Sequence, residues 1–240
     1  MIHGLTNAGL GLPDYGKALV QHGNYIKALE ECGLEVRVLD ADERFPDSTF
    51  VEDVAICTSK CAIITNPGAP SRKGETIEMK QILKKFYHDI EEIRSPGTLD
   101  AGDVMMVDTH FYIGLSQRTN HTGADQLIGI LKRYKMTGSK IPLKFVLHLK
   151  TGVSYLERNN LLVSGEFIHT PEFDRLNKIV VAENEGYAAN SVWINDKVLV
   201  PEGFPETTKN IENAGYTIIR VDMSEFQKLD GGLSCLSLRF

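Results

Sequence analysis

The chain has 240 residues, 42% hydrophobic and 24% charged, with a formal net charge of -6. That is ample for a full core; it gives no electrostatic reason to bind nucleic acid, and no apolar run is long enough to span a bilayer. Four cysteines (Cys32, Cys57, Cys61, Cys235) without a secretory signal point to reduced thiols and a cytoplasmic protein. No Pro/Ser-rich linker or charge block divides the sequence, so one domain over residues 1–240 is expected.

The chain opens on Met1-Ile2-His3-Gly4-Leu5-Thr6-Asn7, a loop already under way, so a first strand is expected to be missing. Residues 7–14 are glycine-rich, a candidate lid. Residues 15–32 carry Leu19, Val20, Tyr25, Ile26 and Leu29 at helical spacing, and Gly33 stops the helix. A strand is expected at 34–39, followed by an acidic loop, an apolar segment at 50–56, and a strand at 61–65 that ends on Asn66-Pro67-Gly68. A second helix is expected over 75–87, then strands at 90–93, 104–107 and 111–114, and a third helix over 122–134. Short strands follow at 145–149, 153–157 and 160–163, and a weaker helix at 171–178. The rest reads as a hairpin from 191–195 and 197–200, a fifth helix at 206–214, a strand at 216–221 and a closing strand after Cys235. The order strand, strand, helix, strand recurs about every 50 residues, which predicts repetition around an axis and not a doubly wound sheet. Neither GxGxxG nor GxxxxGK[ST] is present, so a nucleotide cradle has no support.

Chemistry-bearing residues gather in glycine- or proline-marked loops. Phe45-Pro46-Asp47-Ser48-Thr49-Phe50-Val51-Glu52-Asp53 brackets an apolar segment with carboxylates. If it is a strand, Asp47, Val51 and Asp53 share one face and Glu52 takes the other, and the two aspartates could fork a planar cation. Asp53 precedes Val-Ala-Ile, so its burial and a partner for it are expected. A metal is the rival ligand there, but no histidine lies nearby and calcium-loop spacing is absent. Asp100 and Asp103 flank Ala-Gly before an apolar strand; Asp100 could orient a histidine, while Asp103 reads as an ordinary turn residue. Arg72 and Arg118 sit in small-residue loops suited to bidentate carboxylate binding, though solvated arginines are as good a reading of either alone. His148 lies amid apolar residues, where a core histidine is the commoner case. Cys57 and Cys61 lack the partners of a zinc shell. Cys235 follows Gly231-Gly232, a single thiol at the mouth of an expected strand; a lone cysteine of this kind is usually core.

In combination these loops resemble a known family. Phe-Pro-Asp-Ser-Thr-Phe-Val-Glu-Asp, Gly-Ala-Pro-Ser-Arg, Leu-Asp-Ala-Gly-Asp, Gly-Leu-Ser-Gln-Arg-Thr-Asn, Leu-His-Leu-Lys and Asp-Gly-Gly-Leu-Ser-Cys occur in the order seen in dimethylarginine dimethylaminohydrolases, most closely the bacterial ones, across essentially the whole chain. The resemblance implies the guanidine-modifying superfamily and its five-bladed α/β propeller with pseudo-fivefold symmetry, built from ββαβ units. It implies that Cys235 is the nucleophile, His148 the general acid/base and Asp100 the residue that holds the imidazole. It places Asp47, Asp53 and, less specifically, Glu52 at the substrate guanidinium, Arg72 and Arg118 at its α-carboxylate, and Leu5 and Leu229 at the substrate through backbone. Methylated arginines are the implied small-molecule substrate, hydrolysed to citrulline through a covalent thiouronium on Cys235. No metal or organic cofactor is implied, no membrane partner either, and a homodimer is left open. Position 100 is Asp where close bacterial relatives can carry Glu. The alternatives are an arginine deiminase-like hydrolase of another guanidine, for which the chain has no room for the inserted helical domain, a catalytically silent propeller used for binding, and a cysteine protease, whose acyl oxyanion the surrounding acids would repel.

Overall fold

Four short hairpins organise the chain, in a computed structural model that describes residues 1–240. Helix α1 (Tyr15–Glu31) precedes them. The Asp14 carboxylate caps it by accepting the Lys17 N–H at 2.9 Å, and Gly33, at a φ of 83°, lets the chain turn away.

Each hairpin then acquires a third strand, parallel to its second. The sets are β1 (Ala55–Cys57), β2 (Ala62–Ile64) and β3 (Ile90–Glu92); β4 (Val104–Val107), β5 (His110–Leu115) and β6 (Thr137–Pro142); β7 (Val153–Tyr155), β8 (Asn160–Val163) and β9 (Asn177–Val180); and β10 (Val192–Ile194), β11 (Lys197–Pro201) and β12 (Thr217–Val221). A parallel neighbour requires a crossover. Helices α2 (Glu75–Leu83), α3 (His121–Arg133) and α4 (Pro205–Asn213) supply it in the first, second and fourth sets. In the third, two 3-10 turns, Gly165–Phe167 and Pro171–Phe173, do so instead. A short helix, α5 (Ser224–Gln227), follows β12.

Several expectations fail for physical reasons. The helix at 171–178 is one 3-10 turn, because residues 177–180 pair with β8. The strand placed at 145–149 is loop; the partner of β5 is β6, whose Gly138 and Lys140 hide its character until β5 supplies the ladder. Residues 34–39 alternate as a strand should but pair with none, and a strand exists only by pairing. After the 3-10 turn Ser234–Leu236, residues 237–240 also join no sheet.

The chain packs into two compact units, Met1–Thr49 with Gly152–Ser234, and Phe50–Thr151 with Cys235–Phe240. In the second unit Ile63, Leu99, Phe111, Ile113, Leu127 and Leu131 form the buried centre. In the first, Leu156, Leu162, Val198, Val200 and Ile211 do the same. Each such side chain contributes on the order of 1.5–3 kcal/mol by leaving water.

One feature of the repeat positions the chemistry. The first strand of each hairpin is preceded by a 3-10 turn: Val51–Val54 before β1, Ala101–Asp103 before β4, Leu149–Thr151 before β7 and Glu183–Ala189 before β10. Three of the four hairpins turn over at positive φ at their other end, at Asp108 (53°), at Glu157, Arg158 and Asn159 (62°, 53° and 62°) and at Asn195 and Asp196 (46° and 67°).

Candidate active site

Asp53 lies on the turn before β1 and is 4% exposed. One carboxylate oxygen accepts the Gly102 N–H at 2.9 Å and the other accepts Arg72 Nη1. Arg72, 5% exposed on the 3-10 turn Pro70–Arg72, also donates from Nε to Glu75 (3.1 Å) and from Nη2 to Glu75 (2.8 Å) and the Phe50 carbonyl (2.9 Å). A buried guanidinium is tolerated only when it is matched in this way. Burial pushes the Asp53 carboxyl up, but the His148 and Arg72 charges and the Gly102 N–H outweigh it and hold the group below its ordinary value. Burial likewise opposes the Arg72 charge, and Asp53 and Glu75 more than restore it.

Asp100 caps the turn before β4 and is 1% exposed. Its Oδ2 meets His148 Nε2 at 3.1 Å, Oδ1 accepts the Gly68 N–H at 2.8 Å, and its own N–H donates to Thr119 Oγ1 at 3.1 Å. Burial pulls the His148 imidazole down, yet the Asp53, Asp103 and Asp100 carboxylates bring it up to about 9, so it is protonated at neutral pH. Asp103 goes the other way: burial pushes it up to about 6, against the His148 charge and the donors Ser116, Thr119 and Leu149 N–H.

Two glycines permit this closeness. A Cβ on Gly102 would stand 2.7 Å from Asp53 Oδ1 and 2.9 Å from His148 Nδ1. A Cβ on Gly68 would collide with the Arg118 carbonyl oxygen, so the loop that serves Asp100 also lies against the Arg118 backbone. Arg118 is half-buried and its N–H donates to Ser116 Oγ at 3.0 Å; its guanidinium takes no carboxylate of the chain. Glu52 is buried beside Asp53 but turns elsewhere, accepting Lys150 Nζ at 2.6 Å, with Arg239 Nη2 at 3.8 Å. Adjacent acids on one turn thus serve different partners.

Cys235 is half-buried on the turn Ser234–Leu236, and none of the four cysteines forms a disulfide. The residues just before it are fixed within the first unit. Asn190 accepts the Ser234 N–H at 2.9 Å and donates to Ser234 Oγ at 3.1 Å, and Tyr25 donates to the Leu233 carbonyl at 2.8 Å. The expectation that Asp47, Val51 and Asp53 share a strand face is overturned, because 51–54 is a 3-10 turn. In the first unit Asp47 instead accepts the Leu5 N–H at 2.9 Å, with Leu5 exposed. Leu229 is buried there, its N–H on the Phe226 carbonyl, just before Asp230 at a φ of 58°. The candidate lid is pinned at both ends, Asn7 N–H on Asp230 Oδ2 and Asp14 N–H on Glu225 Oε2, with Leu12 82% exposed between them.

Asp53, Asp100 and His148 bring one ligand-type atom each within 4.8 Å of one another. Arg72, Gly102 and the His148–Asp100 contact already occupy these atoms, so the trio reads as a balanced ion cluster and no metal is assigned to it. Reading the sequence missed Glu75, Gly68, Gly102, Lys150 and Asn190. Only Glu75 carried a signal, an acid three residues after Arg72, which the structure places at the start of α2.

A family model described as N,N dimethylarginine dimethylhydrolase, eukaryotic, matches residues 15–166. The dimethylarginine dimethylaminohydrolase of Pseudomonas aeruginosa is 54% identical, covering 100% of this chain and 95% of that protein. The chain belongs to the dimethylarginine dimethylaminohydrolase family. The member from Streptomyces coelicolor is 33% identical over 94% of this chain and 87% of its own. A solved Pseudomonas aeruginosa enzyme, a cysteine-to-serine variant complexed with citrulline, superposes with a TM-score of 0.99 at 54% identity, covering 100% of this chain and 94% of that one. The N-terminal domain of a cyanobacterial arginine dihydrolase, 18% identical, shares the fold at a TM-score of 0.86 over 95% of this chain and 88% of its own. The expected α/β propeller of repeating ββαβ units is the fold of the dimethylarginine dimethylaminohydrolases, and the four mixed sheets follow it. No helix is long and apolar enough to cross a membrane.

Proposed function

We propose that the chain hydrolyses Nω-methylated arginines, asymmetric dimethylarginine and monomethylarginine, to citrulline and dimethylamine or methylamine. The observation that carries this reading is the half-buried histidine held protonated by three aspartates, in a family with a member solved in complex with citrulline. Charge sets the mechanism. A guanidinium carbon is a poor electrophile, so the reaction needs a thiolate and a protonated leaving amine. A bound substrate cation favours the thiolate of Cys235 by simple attraction. The sulfur attacks the guanidinium carbon, forming an Sγ–C bond. The His148 imidazolium gives its proton to the alkylated nitrogen, the C–N bond breaks, and the amine leaves a thiouronium on Cys235. Neutral His148 then takes a proton from water, the hydroxyl oxygen bonds to carbon, and Cys235 departs to release citrulline.

Within this reading Asp100 orients His148. Asp53, held ionised between Arg72 and the Gly102 N–H, faces developing positive charge, and Asp47 is assigned to the guanidinium with it. Glu52 keeps a subsidiary place, since Lys150 takes its charge. Arg118 and Arg72 are assigned to the α-carboxylate, and Leu5 and Leu229 to backbone contacts with substrate. Residues 1–240 act as one catalytic domain.

Product analysis tests the proposal. Asymmetric dimethylarginine should yield citrulline and dimethylamine in equal amounts, monomethylarginine should yield methylamine, and plain arginine should yield little. Ammonia released mainly from arginine would move the assignment to a deiminase. A Cys235→Ser variant with undiminished turnover would sink the covalent route.

A further inference from the structure

The sequence made Asp103 an ordinary turn residue; its surroundings say otherwise. It is fully buried at the end of the turn Ala101–Asp103, three residues after Asp100. Oδ1 accepts the Leu149 N–H at 3.0 Å, the first peptide after His148. Oδ2 accepts Ser116 Oγ–H at 2.6 Å. Ser116 Oγ in turn accepts the N–H groups of Arg118 (3.0 Å) and Thr119 (3.1 Å), and Thr119 Oγ1 accepts the Asp100 N–H. Gly114 leaves the room for this, since a Cβ there would sit 2.9 Å from Asp103 Oδ1 and 3.0 Å from Leu149 Cβ. One carboxylate thus joins the peptide that follows the histidine, the Arg118 turn and, through Thr119, the backbone of Asp100.

We propose that Asp103 is a positioning residue for the hydrolytic reaction: it fixes the His148 and Arg118 turns against each other and balances the imidazolium charge during proton transfer. The inference rests on the reading of His148 as general acid and Arg118 as a substrate contact. The charges that act on the histidine are Asp53 on the 51–54 turn and Asp100 and Asp103 around the 101–103 turn, with Arg72 paired to Asp53 and Glu52 to Lys150 nearby in the chain. Asp53, Asp103 and Asp100 all favour the imidazolium; Asp53 is shared with Arg72, Asp100 touches the ring, and Asp103 is the buried acid left without a cation of its own. Asp103 differs from Asp100 in reaching it through the chain as well as through space.

The test is an NMR titration of the full chain labelled with 13C-histidine, the His148 resonance being assigned by its loss in His148→Gln. Steady-state kinetics on asymmetric dimethylarginine run alongside it. Asp103→Asn keeps the shape and one acceptor but removes the charge. His148 should then titrate lower by at least about one unit, and kcat should fall roughly ten- to hundredfold, with the basic limb of its pH profile moving the same way. Ser116→Ala leaves the carboxylate and the Leu149 bond in place. It should raise KM several-fold while the His148 titration stays where it is. An unmoved titration in Asp103→Asn overturns the proposal. If that variant does not fold, an unchanged KM in Ser116→Ala overturns it. If the wild-type protein turns over no methylated arginine, the functional reading fails, and the titration still decides the role of Asp103.

Discussion

Two arginines occupy loops of the same character, Pro70-Ser71-Arg72 and Ser116-Gln117-Arg118, and the fold puts them to opposite uses. Arg72 is buried and spends its donors on Asp53, Glu75 and the Phe50 carbonyl. Arg118 is half-exposed, its backbone pinned by Ser116 and its guanidinium without a carboxylate of the chain. The first is a counter-charge that helps keep Asp53 ionised. The second has no carboxylate of the chain beside it, which is what its proposed place at the substrate α-carboxylate requires. The same residue type, in similar loops, thus divides between a guanidinium matched within the chain and one that is not.

That contrast can be broken experimentally. The largest effect belongs to Arg72→Ala, which strands Asp53 and Glu75 as buried unpaired carboxylates. Removing one partner of such a pair costs about 3–5 kcal/mol, so calorimetry should show a melting temperature lower by roughly 10 °C. Because Asp53 also steadies the His148 charge, kcat/KM should fall by three orders of magnitude or more, on the order of 10³. Gly102→Ala comes next. Its methyl group would push Asp53 and His148 apart, and a displacement of this kind costs about 10² in kcat, readable in steady-state kinetics at unchanged pH.

Arg118→Ala should leave the melting temperature within about 1 °C and kcat within a few-fold, while KM rises roughly 30- to 100-fold, the worth of a lost charge-assisted pair. Equal losses of stability in the two arginine variants would erase the distinction. Smaller still is the pH dependence. His148 is raised to about 9 in the folded chain, above its ordinary value near 6.5. Its stabilising contribution is therefore complete below about pH 6.5 and is lost as pH rises through about 9. The gap in urea stability between wild type and His148→Gln should narrow over that window. With His148 as the proposed general acid, turnover should fall over it as well. Arg118→Lys closes the series with only a several-fold rise in KM, because the charge survives and the bidentate fork does not.

The sequence and the structure agree where residue type alone dictates chemistry. The burial of Asp53 and its need for a partner were legible, because an acid just before an apolar strand leaves few other arrangements; the meeting of His148 with Asp100 was implied only by the resemblance of the loops to a known family. Helices α1 and α3 were legible too, α1 from its apolar spacing and Gly33 as a stop, and the structure adds Asp14 and Asn120 as their caps. What could not be read is what depends on a partner far away in the chain. Strand β6 exists because β5 offers it a ladder, and residues 34–39 are no strand because nothing pairs with them. The difference between Arg72 and Arg118 is set by Asp53, 19 residues before Arg72, and by Glu75, three after it. Asp103 looked idle because its partners lie 13 and 46 residues along the chain.

The hairpins have a polarity with practical use. Their leading ends carry the 3-10 turns with Asp53, Asp100 and Asp103 and, just ahead of the third, His148, whereas Asp108 and Asn195-Asp196 turn over at positive φ at the far ends of two of them. A fluorophore, an affinity tag or a short peptide grafted at Asp108 would sit at the far end of β4 and β5 from Asp100 and Asp103. That hairpin therefore offers a place for a reporter, with the buried acids at the opposite end of the same pair of strands.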